Sequence, residues 1–85
     1  MTVLTIRSNR KESDDIADNK IRHIIRSASE RFNVGDVIHF QCYEKRKPVY
    51  HRGNILGYVV TMTQDSDSAP VEKGFQIVSF RRCEL

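Results

Sequence analysis

Alternation between apolar and polar residues is the feature that most constrains this fold. In residues 37–43 (VIHFQCY), every second side chain from Ile38 to Cys42 is apolar and falls on one side of an extended chain. Two more segments of strand type follow, at residues 55–63 and residues 75–82. Strands of this kind hide one face, so the sequence predicts a sheet with a single buried side.

The N-terminal part predicts one strand and then one helix. Residues 2–7 (TVLTIR) are rich in β-branched residues, which favours a strand. Ser8 and Asn9 follow, and both residue types commonly cap the N-terminus of a helix. The polar segment from residue 10 to about residue 19 is therefore expected to be helical.

Residues 21–32 are compatible with two structures. Their apolar positions recur at helical spacing and, taken alone, favour a longer helix from about residue 13 to residue 31. The competing structure is a strand near residues 23–26, followed by a turn through residues 27–29. Periodicity does not decide between them, because short isoleucine-rich segments fit both.

The order of elements indicates a small α+β domain. Its antiparallel sheet is expected to curl into a β-barrel that removes exposed strand edges, with one helix near the N-terminus. The 85 residues have room for one domain, over residues 1–85. No segment of about 18 apolar residues occurs, so no membrane-spanning helix is predicted. Cys42 and Cys83 are too few for a disulfide framework, which favours reduced thiols in a cytoplasmic protein.

Two segments of the chain resemble a known family. Residues 26–38 (RSASERFNVGDVI) contain an arginine, a polar turn, an aromatic residue and a Val-Gly-Asp turn at residues 34–36. Residues 73–78 (KGFQIV) place a glycine and an aromatic residue at the start of the last strand. With the order of elements, these segments resemble the small single-domain ASCH proteins of phages and bacteria, a branch of the PUA-like superfamily. The resemblance implies a PUA-like barrel and a strand at residues 22–26.

The resemblance also bears on catalysis. Some ASCH proteins are amidohydrolases that act on a modified cytidine through a lysine, a threonine and a glutamate. Here Lys20 stands near the lysine position, Arg22 occupies the threonine position and Ile24 occupies the acidic position. Asn19 replaces a glycine of the family, which asparagine tolerates because it accepts left-handed backbone angles. Two of the three groups are absent, so we expect a binding module with no catalytic residues and no cofactor.

The expected ligand is RNA or a nucleotide-like anion, and a first set of basic residues is a candidate for binding it. Guanidinium groups make forked, charge-assisted hydrogen bonds to phosphate. The resemblance implies that these residues lie near a cleft between the helix and the barrel. A solvated polar face is the alternative for each of them. The set consists of Lys20, Arg22, Arg26 and Arg31.

A second basic set lies in the polar segment between two predicted strands. Basic residues with an interleaved aromatic suit single-stranded nucleic acid, because cations follow the phosphates while an aromatic ring stacks on a base. An ordinary charged hairpin tip, which protects strands from aggregation, is the alternative. The set consists of Lys45, Arg46, Lys47, Tyr50, His51 and Arg52.

Two other kinds of binding were considered. A host protein is the alternative partner, through a sheet edge or an exposed patch such as Phe32 with Tyr43. A zinc site is not expected, because the odd separation of His39 and Cys42 puts them on opposite faces of a strand.

Overall fold

The secondary structure alternates short strands with one helix. The computed structural model of the protein describes residues 2–83, and for Ile55 the backbone alone. In chain order, the elements are β1 (Val3–Ser8), α1 (Arg10–Ala17), β2 (His23–Ser27), β3 (Val37–Glu44), β4 (Lys47–Pro48), a 3-10 turn (Arg52–Ile55), β5 (Gly57–Asp65) and β6 (Phe75–Arg82). This is an α+β structure. Within these residues, no helix is long and apolar enough to cross a membrane.

The strands form one mixed sheet in the order β1-β3-β5-β6-β2, and β4 pairs with β3 at the side. β1 and β3 are parallel, whereas the other pairs are antiparallel. The prediction of an antiparallel sheet is therefore wrong for this pair, because the chain crosses over through α1 before it returns as β3. β1 and β2 are the first and last strands of this order. Within the described residues they do not pair with each other, so the sheet does not close into a barrel.

Residues 23–27 form strand β2, so the helical alternative for this segment is wrong. α1 begins after Asn9, whose side chain accepts from the backbone N–H of Glu12, and the Glu12 side chain accepts from Asn9 in return. It ends at Ala17, and β2 then pairs with β6 along its whole length. The β-branched isoleucines fit a strand as well as a helix, and the available partner strand decides between them.

The core lies between α1 and one face of the sheet. Its buried cluster consists of Ile6, Ile16, Ile38, Phe40, Tyr58, Val60, Val78 and Phe80. The three aromatic rings contact one another with centroids 5.3 to 5.5 Å apart, at tilted or edge-on angles that their quadrupoles favour. The alternation in β3 is confirmed, since Ile38, Phe40 and Cys42 are all buried.

The Val-Gly-Asp turn at residues 34–36 joins three strands. The buried carboxylate of Asp36 accepts from the N–H groups of Thr2 (3.3 Å) and Asn33 (3.0 Å). The N–H of Gly35 donates to the carbonyl of Val60, and the N–H of Val60 donates to the carbonyl of Asp36. Gly35 has a φ of 96°, which explains the glycine at this position.

Strand β5 contains one irregularity. Gly57 pairs regularly with His39, but the register of β5 against β6 shifts between Val60 and Met62. The extra residue, Thr61, breaks the alternation, so burial in β5 stops being periodic after Val60.

We predict that Asp36→Ala lowers the free energy of unfolding by about 2 kcal/mol. The substitution leaves two backbone N–H groups without their acceptor, and hydrogen bonds to a charged group contribute more than neutral ones. Urea denaturation measures the change. Asp67→Ala is the matched control, since Asp67 is exposed, and its effect should stay within about 0.5 kcal/mol. Equal effects of the two variants would contradict the role of the Asp36 carboxylate.

Candidate functional site

The end of α1 turns the chain toward β2. The N–H of Lys20 donates to the carbonyl of Asp15 (2.8 Å), and the N–H of Asn19 donates to the carbonyl of Ile16 (3.1 Å). These two bonds form a Schellman motif, with Asn19 as the left-handed residue at a φ of 61°. The expectation that asparagine adopts this conformation is confirmed. The motif does not use the carbonyl of Ala17, which stays available to another donor.

Arg82 supplies that donor from the inner face of the sheet. Gln76, Val78 and Phe80 alternate as the buried residues of β6, and Arg82 is the next residue in the same series. Its side chain therefore lies under the C-terminal end of α1, where a terminal guanidinium nitrogen donates to the carbonyl of Ala17. The Nε atom of Arg82 is buried and has no hydrogen-bond partner in the described part of the chain.

A cavity of about 240 Å³ opens beside Arg82, and we call it the arginine pocket. Its lining residues are Asn19, Ile21, Arg22, Tyr58, Phe80, Arg81 and Arg82. The carbonyl of Arg22 accepts from the N–H of Phe80 (3.0 Å), which holds the start of β2 next to β6. The Arg22 Nε donates to the carbonyl of Asn19 (3.3 Å). Arg22 and Arg82 thus meet at one cavity, while the adjacent Arg81 alternates to the outer face of β6.

The charges in this pocket differ from those elsewhere in the protein. None of the pocket's lining residues is acidic. Three other arginines instead have a carboxylate of their own, in the pairs Arg10–Glu44, Arg26–Glu30 and Arg52–Asp18. The arginine pocket is therefore a local concentration of positive charge that the described residues do not neutralise within its walls.

Tyr58 forms part of the pocket floor. Burial raises the pKa of its hydroxyl above the usual value, although the positive charge of the nearby Arg82 acts in the opposite direction. The hydroxyl stays protonated at neutral pH and donates to the carbonyl of Ile16 at 3.4 Å. With Phe80, which is also buried, it closes the pocket on the side of the core.

A second cavity, of about 330 Å³, lies between the two strands that end the sheet order. Its lining residues are Ile6, Arg7, Ser8, Glu12, Ile16, Ile21, His23, Ile24, Ile25, Arg26 and Phe40. Arg26 makes two hydrogen bonds to Glu30, at 2.8 and 2.7 Å, and these hold the pKa of the Glu30 carboxyl below its usual value. The guanidinium of Arg26 is thus already occupied by a carboxylate.

The basic residues of the first set do not meet in one place. Arg22 lines the arginine pocket, while Arg26 lines the second cavity. Lys20 and Arg31 are exposed and line neither of the two. Arg82 was not among the candidates, although a charged residue in the inward series of a predicted strand is the signal that could have found it.

The second set divides at the hairpin between β3 and β4. Lys45 and Arg46 are exposed at its tip and have φ angles of 48° and 66°. Positive φ at both central residues of a two-residue loop is the pattern of a type I′ turn. Lys47 is exposed in β4, and Tyr50 is 79% exposed. These residues form a basic surface with one free aromatic ring.

His51 belongs to the interior rather than to that surface. It is 4% exposed, its Nδ1 accepts from the N–H of Gly53 (2.9 Å), and its Nε2 lies 2.6 Å from Asp14 Oδ1. Since Nδ1 accepts, the proton resides on Nε2, which donates to Asp14. Arg52 makes a second contact with the end of α1, since its terminal nitrogen donates to Asp18 Oδ1 at 2.7 Å. This bond lowers the pKa of the Asp18 carboxyl.

The Phe32 and Tyr43 pair does not form a free apolar patch. Phe32 packs against the core, and Tyr43 lies beneath the Arg7 guanidinium, 4.6 Å from its ring centroid. Within residues 2–83, no group of three or more His, Cys, Asp or Glu side chains is arranged to hold a metal ion.

Comparison with known proteins adds no relatives. No protein-family model matches the chain, and no curated protein matches it significantly. The similarity to ASCH proteins therefore stays a prediction from the sequence.

We predict that His51→Ala lowers the free energy of unfolding by about 3 kcal/mol, measured in urea. The variant loses the bond to Asp14, leaves the buried N–H of Gly53 without an acceptor and opens a cavity. Arg52→Ala breaks only an exposed ion pair on the same loop, and its expected effect is about 0.5 kcal/mol. A His51 effect as small as that of Arg52 would show that the imidazole is not structural.

We also predict that Arg46→Gly raises the free energy of unfolding by about 1 kcal/mol. A left-handed backbone costs a residue with a side chain about 1–2 kcal/mol, and glycine removes most of that strain. Arg31→Gly removes the same charge at a position without positive φ, so it should not stabilise the fold. Thermal and urea unfolding measure both variants, and a destabilised Arg46→Gly protein would contradict the turn assignment.

Proposed function

We propose that this protein is a non-catalytic module that binds a phosphate-bearing ligand, RNA or a nucleotide, in the arginine pocket. The observation that carries the proposal is the meeting of Arg22 and Arg82 at a cavity whose lining contains no carboxylate. Guanidinium groups are the side chains best suited to hold phosphate oxygens in forked pairs.

The arginines of the pocket keep donors for a ligand. A guanidinium carries five N–H donors. Arg22 uses one of them on the carbonyl of Asn19, and Arg82 uses one terminal nitrogen on the carbonyl of Ala17.

The basic hairpin supports a ligand that extends beyond the pocket. Its tip carries Lys45, Arg46 and Lys47, and Tyr50 offers an exposed ring on which a base could stack. Arg52, which follows the hairpin in the chain, is bound to Asp18, the neighbour of the pocket residue Asn19.

We propose, as part of the same assignment, that the domain is of the PUA-like ASCH type and that it does not hydrolyse its ligand. The strand at β2 and the Val-Gly-Asp turn before β3 agree with the family pattern. At the acidic position of the family, Ile24 packs against the core, so the chain supplies no carboxylate there.

We predict that the protein binds a single-stranded hexaribonucleotide phosphorylated at both ends, measured by isothermal titration calorimetry. Arg22→Ala should weaken binding about tenfold, because one charge-assisted hydrogen-bonding group is lost. Arg31→Ala removes the same charge from an exposed site outside the pocket and should change affinity less than about twofold.

Salt dependence gives an independent check on the same complex. Affinity should fall steadily as salt rises, since binding to phosphates releases counterions. Absence of binding would reject the proposed function. Equal losses for the two arginine variants would assign the binding to net charge rather than to the pocket.

A further inference from the structure

The second cavity, of about 330 Å³, lies along the edges of two strands rather than on a face of the sheet. Its lining includes the consecutive residues 6–8 of β1 and 23–26 of β2. Side chains alternate between the two faces of a strand, so a cavity on one face is lined by every second residue. A cavity lined by consecutive residues of both strands lies between their edges, and we call it the edge gap.

We propose that the edge gap binds an extended peptide of a partner protein, which pairs there as an additional β-strand. The peptide alternates apolar residues, which face the core, with acidic residues, which face outward. This site is distinct from the arginine pocket and goes beyond the proposed function.

The hydrogen bonds of the sheet show which backbone groups of β2 point into the edge gap. The N–H of Phe80 in β6 donates to the carbonyl of Arg22, just before β2. Because the direction of the backbone groups alternates along an antiparallel strand, even-numbered residues of β2 direct their N–H and C=O toward β6. His23 and Ile25 therefore direct theirs to the opposite side, toward the gap.

The same reasoning applies to β1. The N–H of Val37 donates to the carbonyl of Thr2, just before β1, so even-numbered residues of β1 face β3. Thr5 and Arg7 direct their backbone groups to the free edge. Within the described residues, β1 pairs only with β3 and β2 only with β6. Two rows of backbone groups without a partner strand thus border one cavity, and such edges are templates for pairing with another chain.

The inner side of the edge gap is apolar. Ile6, Ile16 and Phe40 are buried residues of its lining, and Ile24 packs against the core beside them. An added strand places every second side chain on this side. Apolar residues at those positions bury surface against the core, whereas polar ones lose their contact with water.

The charge on the outer side favours an acidic peptide. The charged residues of the lining are Arg7, Arg26 and Glu12. Arg26 is already bound to Glu30, whereas Arg7 belongs to none of the ion pairs between described residues. Arg7 is exposed on the outer face of β1. An outward carboxylate on the added strand therefore meets a free cation, and opposite charges on neighbouring strands stabilise pairing.

The test measures binding of a fluorescent octapeptide of alternating valine and glutamate by fluorescence anisotropy. A block peptide, with all valines before all glutamates, has the same composition without the alternation. A peptide of alternating valine and lysine reverses the charge. We expect the valine–glutamate alternation to bind at least about tenfold more tightly than either control. Equal affinity for the alternating and block peptides would overturn the proposal.

Proline substitutions test the strand pairing itself. Ile25→Pro removes an N–H that faces the gap and leaves the bonds between β2 and β6 in place, so it should weaken binding about tenfold. Val3→Pro alters the same free edge of β1 outside the cavity lining and should change affinity less than about twofold. Arg22→Ala protein should bind the peptide as tightly as the unsubstituted protein. Loss of binding in Arg22→Ala would assign the peptide to the arginine pocket and overturn the proposal.

Hydrogen exchange provides a readout that needs no variant. In the unsubstituted protein, the bound peptide should slow exchange of the amides of Arg7, His23 and Ile25 at least about tenfold, because each gains an acceptor. The result decides the proposal even if Ile25→Pro does not fold. Unchanged exchange at these three amides in the complex would overturn it.

Discussion

The buried carboxylate of Asp36 holds the starts of β1 and β3 together. Its oxygens accept from Thr2, just before β1, and from Asn33, in the turn that leads into β3. The neighbouring backbone binds Val60 of β5 through two hydrogen bonds. Because side chains alternate along a strand, a register fixed at one end decides which residues face the core along the whole strand. The packing of α1 on the sheet depends on that register.

The same alternation gives the arginine pocket its position. It places Arg82 on the inner face of β6 and below the end of α1, where the Schellman motif does not use the carbonyl of Ala17. A cation at this point satisfies the helix end and also lines the cavity. Two structural features therefore position this candidate site. One is the free carbonyl at the end of α1, and the other is the inward residue at the end of β6. Arg22 joins it because β2 begins beside Phe80.

Local patterns in the sequence predicted most of the elements but not how they come together. The period-two alternation in β3 and β6 and the capping residues before α1 each act over a few residues, and they predicted these elements closely. The parallel pairing of β1 with β3 depends on a crossover that no short pattern encodes.

The candidate site shows the same limit. The sequence groups His51 with the basic surface because it does not reveal a buried partner such as Asp14 on another element. Arg26 belongs to the set predicted to bind an anion, yet a glutamate four residues later occupies it. Arg22 was in the predicted set, whereas Arg82 was left out because its neighbour in space, α1, is 65 residues away in the chain.

The parallel pairing of β1 and β3 has a consequence for the protein during its synthesis. Val3 of β1 pairs with Val37 of β3, which comes 34 positions later in the chain. A ribosome that adds about 5–20 residues per second needs roughly 2–7 seconds to cover that distance. Throughout this interval the nascent chain has β1 but no β3 to pair with it, and Ile6 stays without the residues that bury it in the core.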